Sequence, residues 1–474
     1  MNQILPFDVE LLRRYDRPGP RYTSYPTAPQ FHAGFGAPAL RDCAKRSNAE
    51  PIPRPISIYV HVPYCTSPCF YCGCNRVITR DAARGERYVE RLLREIELAA
   101  PLFDRDRDVI QLHFGGGTPN FLAPAQLGQI VESLDRHFHF SRSPNRDFSI
   151  ELDPRFVSPS DIKELANLGF NRASLGIQDF DPEVQKAVNR VQSVAQTLEI
   201  IEACHASGMR SVNVDLIYGL PKQTLDGFAK TLDTVLAVRP ERLAVYGYAH
   251  MPSLFKAQRQ IIDADLPSAQ DKLALLQLAI LRCGEAGYRY IGMDHFALPE
   301  DDLARAQESH ELHRNFMGYT THAESDLLGL GVSAISHIGD SYSQNFRDLP
   351  SWEAALDHAH LPIWRGMQLS FDDQLRAEVI QQLMCQGELK FASIEARFQI
   401  EFATYFSEAL QALRALEADD LVEMRSDGII VSVRGRLLVR IIAACFDQYL
   451  SAPKGAPGAP GTSATPAPNF SKVI

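Results

Sequence analysis

The sequence predicts an α/β fold: an incomplete barrel of six β/α units, preceded by an N-terminal arm and followed by a small, mainly helical C-terminal domain. Apolar, β-rich runs alternate with segments of helical period from Ile56 to Ala286, which indicates a parallel sheet covered by helices on its outer face. Polar and glycine residues gather where those runs end, the rim on which such folds place their chemistry. From Asp372 the pattern changes to apolar residues at i, i+3, i+4 and i+7, the mark of amphipathic helices.

Residues 1–52 hold few periodic apolar positions, and "RRYDRPGPRYTSYPTAPQF" is broken by four prolines. This reads as an arm rather than a core element. Residues 53–300 form the barrel, with near-continuous apolar strands expected at Ile56–Val62, Val109–Phe114, Phe148–Leu152, Arg172–Ile177, Ser211–Ile217 and Leu243–Tyr248, and a further run at Tyr288–Met293. Helices are expected between them at Glu86–Ala100, Pro124–His137, Ser158–Leu168, Val194–Ser207, Thr224–Ala237 and Ala269–Ala286. The stretch from Gly292 to Asn345 is rich in Gly, Asn, Thr and Tyr, so 301–370 reads as barrel-closing loops, a strand and a linker. Residues 371–450 make the helical domain with a short strand pair near its end, and 451–474, Pro/Ala/Gly-rich, should be disordered.

Composition narrows the function. With 474 residues and 45% hydrophobic content the chain can build a large core and a smaller one. It has no apolar run of membrane-spanning length and no signal-peptide pattern at its start, so a cytoplasmic location without a membrane span is expected. Nine cysteines without framework spacing suit a reducing compartment. A net charge of −10 argues against nucleic acid as a partner, and any anionic substrate must meet a local basic patch.

The chemistry centres on "ISIYVHVPYCTSPCFYCGCN", where Cys65, Cys69 and Cys72 stand at Cys-x3-Cys-x2-Cys spacing with Cys74 two residues on. Three thiolates this close can grip three corners of a [4Fe-4S] cubane and leave one iron open. S-adenosylmethionine (SAM) can chelate that iron, and one electron then breaks its sulfonium bond to give a 5′-deoxyadenosyl radical. A structural zinc knuckle is the plainer alternative, but zinc takes four ligands and no second Cys or His pair follows. Around the same rim fall Gly115-Gly116-Gly117-Thr118-Pro119, Glu151 and Asp153, Gln178 and Asp179, Asp215, and Tyr248-Ala249-His250. Asp294 and His295 read either as acid–base groups or as a hydrogen-bonded structural pair. Arg13, Arg14, Arg17 and Arg21 in the arm are either solvated or offer guanidinium forks to carboxylates.

The motifs "YVHVPYC…C…CGC", "GGGTP", "GIQDF…VNR", "DLIYGLP", "MDHFA", "RNFMGYTTHAESDLLGLGVSAI" and "PRYTSYPTA" together resemble the oxygen-independent coproporphyrinogen III oxidases, radical SAM oxidoreductases of haem and porphyrin biosynthesis. The likeness implies a radical SAM partial barrel that decarboxylates two propionates of coproporphyrinogen III to vinyl groups, giving protoporphyrinogen IX. It implies metal ligands Cys65, Cys69 and Cys72; a first SAM at Tyr59, Tyr71, Gly116, Glu151 and Ile335; and a second at Gly117, Thr118, Gln178, Arg190, Asp215 and Ala249. Cys74, Tyr59 and Glu151 are implied as catalytic, Cys74 acting in electron or hydrogen transfer or else only packing. Arg21 is expected to pair with substrate propionates. An electron donor such as flavodoxin or ferredoxin and a monomeric state are also expected. Ser341 stands where some relatives have cysteine, and "TSP" replaces a common His-containing turn between the first two cluster cysteines. A haem-binding chaperone of the superfamily and a radical SAM methyltransferase are the rival readings.

Overall fold

The computed structural model describes residues 5–451; the predicted disordered tail lies, from residue 452 on, outside the described residues. Six parallel strands form the centre of the main sheet: β1 (Ile56–Val62), β2 (Asp108–Gly116), β3 (Asp147–Leu152), β4 (Arg172–Gln178), β5 (Ser211–Tyr218) and β6 (Arg242–Gly247). They lie side by side in chain order, each returning through a helix such as Ala82–Ala99, Pro124–His137 or Val194–Ala206. The sheet stays open. Beyond β6 it ends in the antiparallel hairpin Arg289–Gly292 and His295–Ala297, so the run predicted at Tyr288–Met293 is not another parallel strand.

The strands alternate rather than run continuously apolar, which corrects the sequence reading. Ile58, Val60, Leu112, Phe114, Ile150, Leu175, Val212, Val214 and Leu243 are fully buried on one face. The residues between them, Tyr59, His113, Glu151, Ser174, Asn213 and Asp215, occupy the other face, where Tyr59 stacks on His113, His113 meets Glu151, and Ser174 bonds to Asn213 and Asp215 across strands. A period of two with one polar face means that the concave side of the sheet is a lined space, not a packed core.

Residues 301–370 are not loops and linker. Asp326–Leu330 runs parallel to β1 on its free side, and Ile335–Ile338, Ser341–Asn345 and Ile363–Gln368 follow antiparallel to extend the sheet. His313–Asn315 and Gly318–Thr320 form a separate hairpin. Glycine hid the strand: a Cβ on Gly329 would lie 2.5 Å from the Ile335 carbonyl oxygen, so this close strand crossing excludes a side chain. Glu95 clamps the turn beyond it, accepting from the Gly331 amide (2.8 Å), the Trp352 indole (3.0 Å) and the Asn345 amide (2.6 Å).

The arm is not peripheral either. Leu40, Cys43 and Ala44, on the helix Ala37–Asn48, join the barrel core, while Leu11, Leu12, Tyr22 and Tyr25 join the C-terminal core with Leu375, Leu383 and Phe446. Its apolar residues are few, but most pack into one of the two cores, Ile52 being the exposed exception. The C-terminal domain carries a three-stranded sheet, Glu388–Lys390, Gly428–Val431 and Val422–Met424, rather than a strand pair.

Candidate active site

At the carboxyl end of β1 the chain makes a two-residue parallel bridge, Tyr64–Cys65 against Val77–Ile78, which pins both ends of the cysteine loop. Inside the loop the Arg76 guanidinium donates to the Cys69 carbonyl (3.2 Å) and reaches the Cys72 carbonyl (3.5 Å). Asn189 grips the Pro68 carbonyl from outside (2.7 Å). The loop is therefore shaped by its own arginine and by the segment after β4.

Cys65, Cys69, Cys72 and Cys74 share a cavity of about 200 Å³ with Tyr71, Gly116, Gly117, Thr118, Glu151, Gln178, Arg190 and Asp215. Every strand from β1 to β5 contributes to its wall or to the loop behind it. Thr118 Oγ1 is 3.2 Å from Cys65 Sγ, and the Cys74 amide donates to Cys72 Sγ at 3.4 Å. Arg190 reaches Cys69 Sγ (3.5 Å), Asp153 Oδ2 (3.1 Å) and the Gly176 carbonyl (2.6 Å). Arg155 braces the same carboxylate at 2.6 Å. Burial pushes the Cys65 thiol up to about 11, whereas the bond from Cys74 holds Cys72 below the ordinary thiol range.

On the opposite wall Glu151 accepts from the Gly116 amide (3.3 Å) and faces His113 Nε2 (3.3 Å). Asp215 accepts from Asn213 (2.8 Å) and Ser174 (3.1 Å), and burial pushes its pKa up to about 6. Gly116 has φ +119, and a Cβ on Gly117 would meet the Tyr64 carbonyl oxygen at 2.8 Å. Glycine is required at both, and it leaves backbone amides open to a ligand. Gly117→Ala should displace the Cys65 strand and cut SAM cleavage by about a hundredfold, since ångström shifts at reacting groups carry such costs. Gly284→Ala, whose Cβ would meet nothing within 4 Å, should leave it unchanged. Quantifying 5′-deoxyadenosine from both variants checks this.

Three residues that the resemblance placed at SAM do not line this cavity. Tyr59 lies on β1, stacked on His113 with centroids 5.8 Å apart and bonded to His61 at 3.1 Å. Ile335 packs with Phe316 and Tyr342. Ala249 is linked indirectly: Gln258 donates to the carbonyls of both Tyr71 (2.9 Å) and Ala249 (3.2 Å). Arg21 lies outside it as well, ion-paired to Asp294 at 2.8 Å. The Asp294–His295 pair does not interact as one acid–base unit: Asp294 holds Arg21, while burial drives His295 down to about 4, hence neutral. Gln258, Arg155 and Arg76 were missed, because each acts on loop atoms and no local motif marks it.

Residues 59–235 match the model of the Radical SAM superfamily and residues 369–438 that of the HemN C-terminal domain. An oxygen-independent coproporphyrinogen III oxidase from Pseudomonas aeruginosa is 51% identical over 95% of this chain and 97% of its own length. The chain belongs to the oxygen-independent coproporphyrinogen III oxidase family. The enzyme of that name from Escherichia coli is 46% identical over 94% of this chain and 96% of its own. The solved structure described as "Coproporphyrinogen III oxidase (HemN) from Escherichia coli is a Radical SAM enzyme" superposes with a TM-score of 0.89 at 44% identity, covering 94% of this chain and all of that one.

Membership of the radical SAM superfamily brings a [4Fe-4S] cluster and SAM. The donor set fits. Among the described residues no three His, Cys, Asp or Glu side chains converge at single-ion spacing, as a zinc site would need. A cubane is several ångströms wide and takes one thiolate per iron, so its ligands must be spread around a cavity. Thr118, Arg190, Arg155 and the Cys74 amide supply sulfur-directed hydrogen bonds of the kind that tune such clusters.

Proposed function

We propose that this protein converts coproporphyrinogen III to protoporphyrinogen IX without oxygen, decarboxylating two propionates to vinyl groups. The observation that carries the reading is the three-thiol cavity, set in a chain half identical along almost its whole length to an enzyme named for that reaction. When bound, the cluster and SAM supply a 5′-deoxyadenosyl radical able to take a hydrogen atom from an unactivated carbon. Loss of CO2 from the propionate, with one electron passed to an external acceptor, would complete each vinyl group.

Cys65, Cys69 and Cys72 would hold the cluster. Glu151, an acceptor only, would bind the amino group or ribose hydroxyls of SAM, with the Gly116 amide beside it. Gly117, Thr118, Gln178, Arg190 and Asp215 share the rest of the wall and would receive a second SAM. The reading has Cys74 beside the cluster without ligating it. A flavodoxin or ferredoxin would deliver the electron to a monomeric enzyme in the cytoplasm; among the described residues no helix is long and apolar enough to cross a membrane.

The test is an anaerobic incubation with reductant, SAM and coproporphyrinogen III, followed by chromatography. Protoporphyrinogen IX, methionine and 5′-deoxyadenosine are expected. S-adenosylhomocysteine would support a methyltransferase instead, and stoichiometric haem binding without turnover would support a chaperone.

A further inference from the structure

Arg314 is only 6% exposed, and among the described residues no carboxylate pairs with it. Of the other deeply buried arginines, Arg107, Arg172 and Arg190 each hold an aspartate, and Arg440 donates to the Gly19 and Pro20 carbonyls. One terminal nitrogen of Arg314 donates to the Arg21 carbonyl, and the guanidinium lies over the Tyr319 ring, 5.4 Å from its centroid. Its Nε is screened from water and has no acceptor. An always-charged group with an idle buried donor is costly to keep unless an anion comes to it.

Arg314 borders a cavity of about 440 Å³ between the arm, the His313–Asn315 hairpin and the first C-terminal helix, Phe371–Gln386. Tyr22, Tyr25, Phe316, His337 and Tyr342 give it flat aromatic walls, and His337 stacks on Tyr342 at 4.4 Å. Of its two acids, Glu378 is held by Arg397 at 2.8 Å, and Glu324 is exposed to water. Ile335, two residues before His337, packs in one cluster with Phe316 and Tyr342. Its backbone crosses Gly329, the strand partner of Tyr59. The row Ile335–Gly329 thus links the wall of this cavity to Tyr59 on β1.

We infer that this cavity seats one carboxylate-bearing edge of the tetrapyrrole, with Arg314 receiving a propionate of the substrate. The inference rests on the function proposed above and replaces the role expected for Arg21, whose charge is already neutralised by Asp294. The aromatic walls take the pyrrole face, and the guanidinium fork takes the carboxylate. Arg314 is thus a positioning residue and sets affinity more than chemical rate.

The experiment pairs Arg314→Met with Ala323→Trp, which narrows the cavity from a partly exposed position without removing a side-chain hydrogen bond. Iron content of the anaerobic proteins reports folding. Fluorescence titration with coproporphyrin III, the stable tetracarboxylate probe, should weaken at least tenfold in both variants, and KM for coproporphyrinogen III should rise at least tenfold while kcat changes less. Arg314→Lys should recover part of the loss, since it restores charge but not the fork. Titrations and KM values within twofold of the parent in both iron-replete variants would overturn the proposal. A parent protein that binds the probe but never turns over the substrate would overturn the function and leave the titration to judge the cavity.

Discussion

Cys65→Ala is expected to yield a colourless protein that releases no 5′-deoxyadenosine and no protoporphyrinogen. Two remaining ligand thiolates cannot hold a cubane that draws on three, and the group bonded to Cys65, a threonine hydroxyl at 3.2 Å, does not replace the lost donor. Burial that raises the Cys65 thiol to about 11 also makes the metal the natural means of stabilising the thiolate. Cys74→Ala is the matched control. Truncation removes the bond of the Cys74 thiol to Cys72 but keeps that of its backbone amide, and Cys74 is not one of the three ligands, so that variant should keep its iron and its brown colour. Iron and sulfide analysis of both proteins, prepared without air, decides the matter. A Cys65→Ala protein with full iron content would remove this loop from the chemistry.

What the sequence revealed depended on how local the signal was. The six parallel strands match their predicted runs to within a residue or two, because each is a short apolar-rich run set off from the next helix by turn or capping residues, such as Ser158 before Pro159–Asn167. The cavity residues Glu151, Gln178 and Asp215 were found because strand ends and chemistry coincide in such folds, whereas Arg190 came only from the family resemblance. The alternation was also present in the sequence. Ser57, Gln111, Ser149 and Asn213 interrupt the apolar runs of β1, β2, β3 and β5 on the polar face, and treating those runs as continuous concealed the lined space. Other features had no local signature. Gln258 meets Tyr71 across 187 residues and Arg21 meets Asp294 across 273, and only the folded chain brings such groups together. The strand Asp326–Leu330 was concealed by glycines whose reason, the close crossing at Ile335, is itself a tertiary contact.

Arg107→Met should destabilise the fold by about 3–5 kcal/mol, the usual consequence of leaving a buried carboxylate without its cation. Arg107 pairs with Asp326 Oδ2 at 2.6 Å, and the two side chains are 2% and 1% exposed. The same guanidinium donates to the Arg54 carbonyl and the Asn48 side chain, each at 2.7 Å. Asp326 in turn accepts from the Gly339 amide at 2.9 Å and from the Ser47 hydroxyl. One ion pair thereby joins the helix Ala37–Asn48, the entry to β1 and the seventh parallel strand. With Arg107 gone, Asp326 keeps its neutral donors but carries an unpaired charge away from water. Adding Asp326→Asn should restore part of the loss, because the amide oxygen can still accept from Gly339 while its NH2 donates to the Ser47 hydroxyl oxygen, without a charge to desolvate. Thermal midpoints of the parent, both single variants and the double variant close the cycle, and a double variant no more stable than Arg107→Met would mean that charge is not the cause. Because Ile56, the first residue of β1, pairs with Asp326, loosening this end should also lower SAM cleavage at temperatures where the bulk of the protein is still folded.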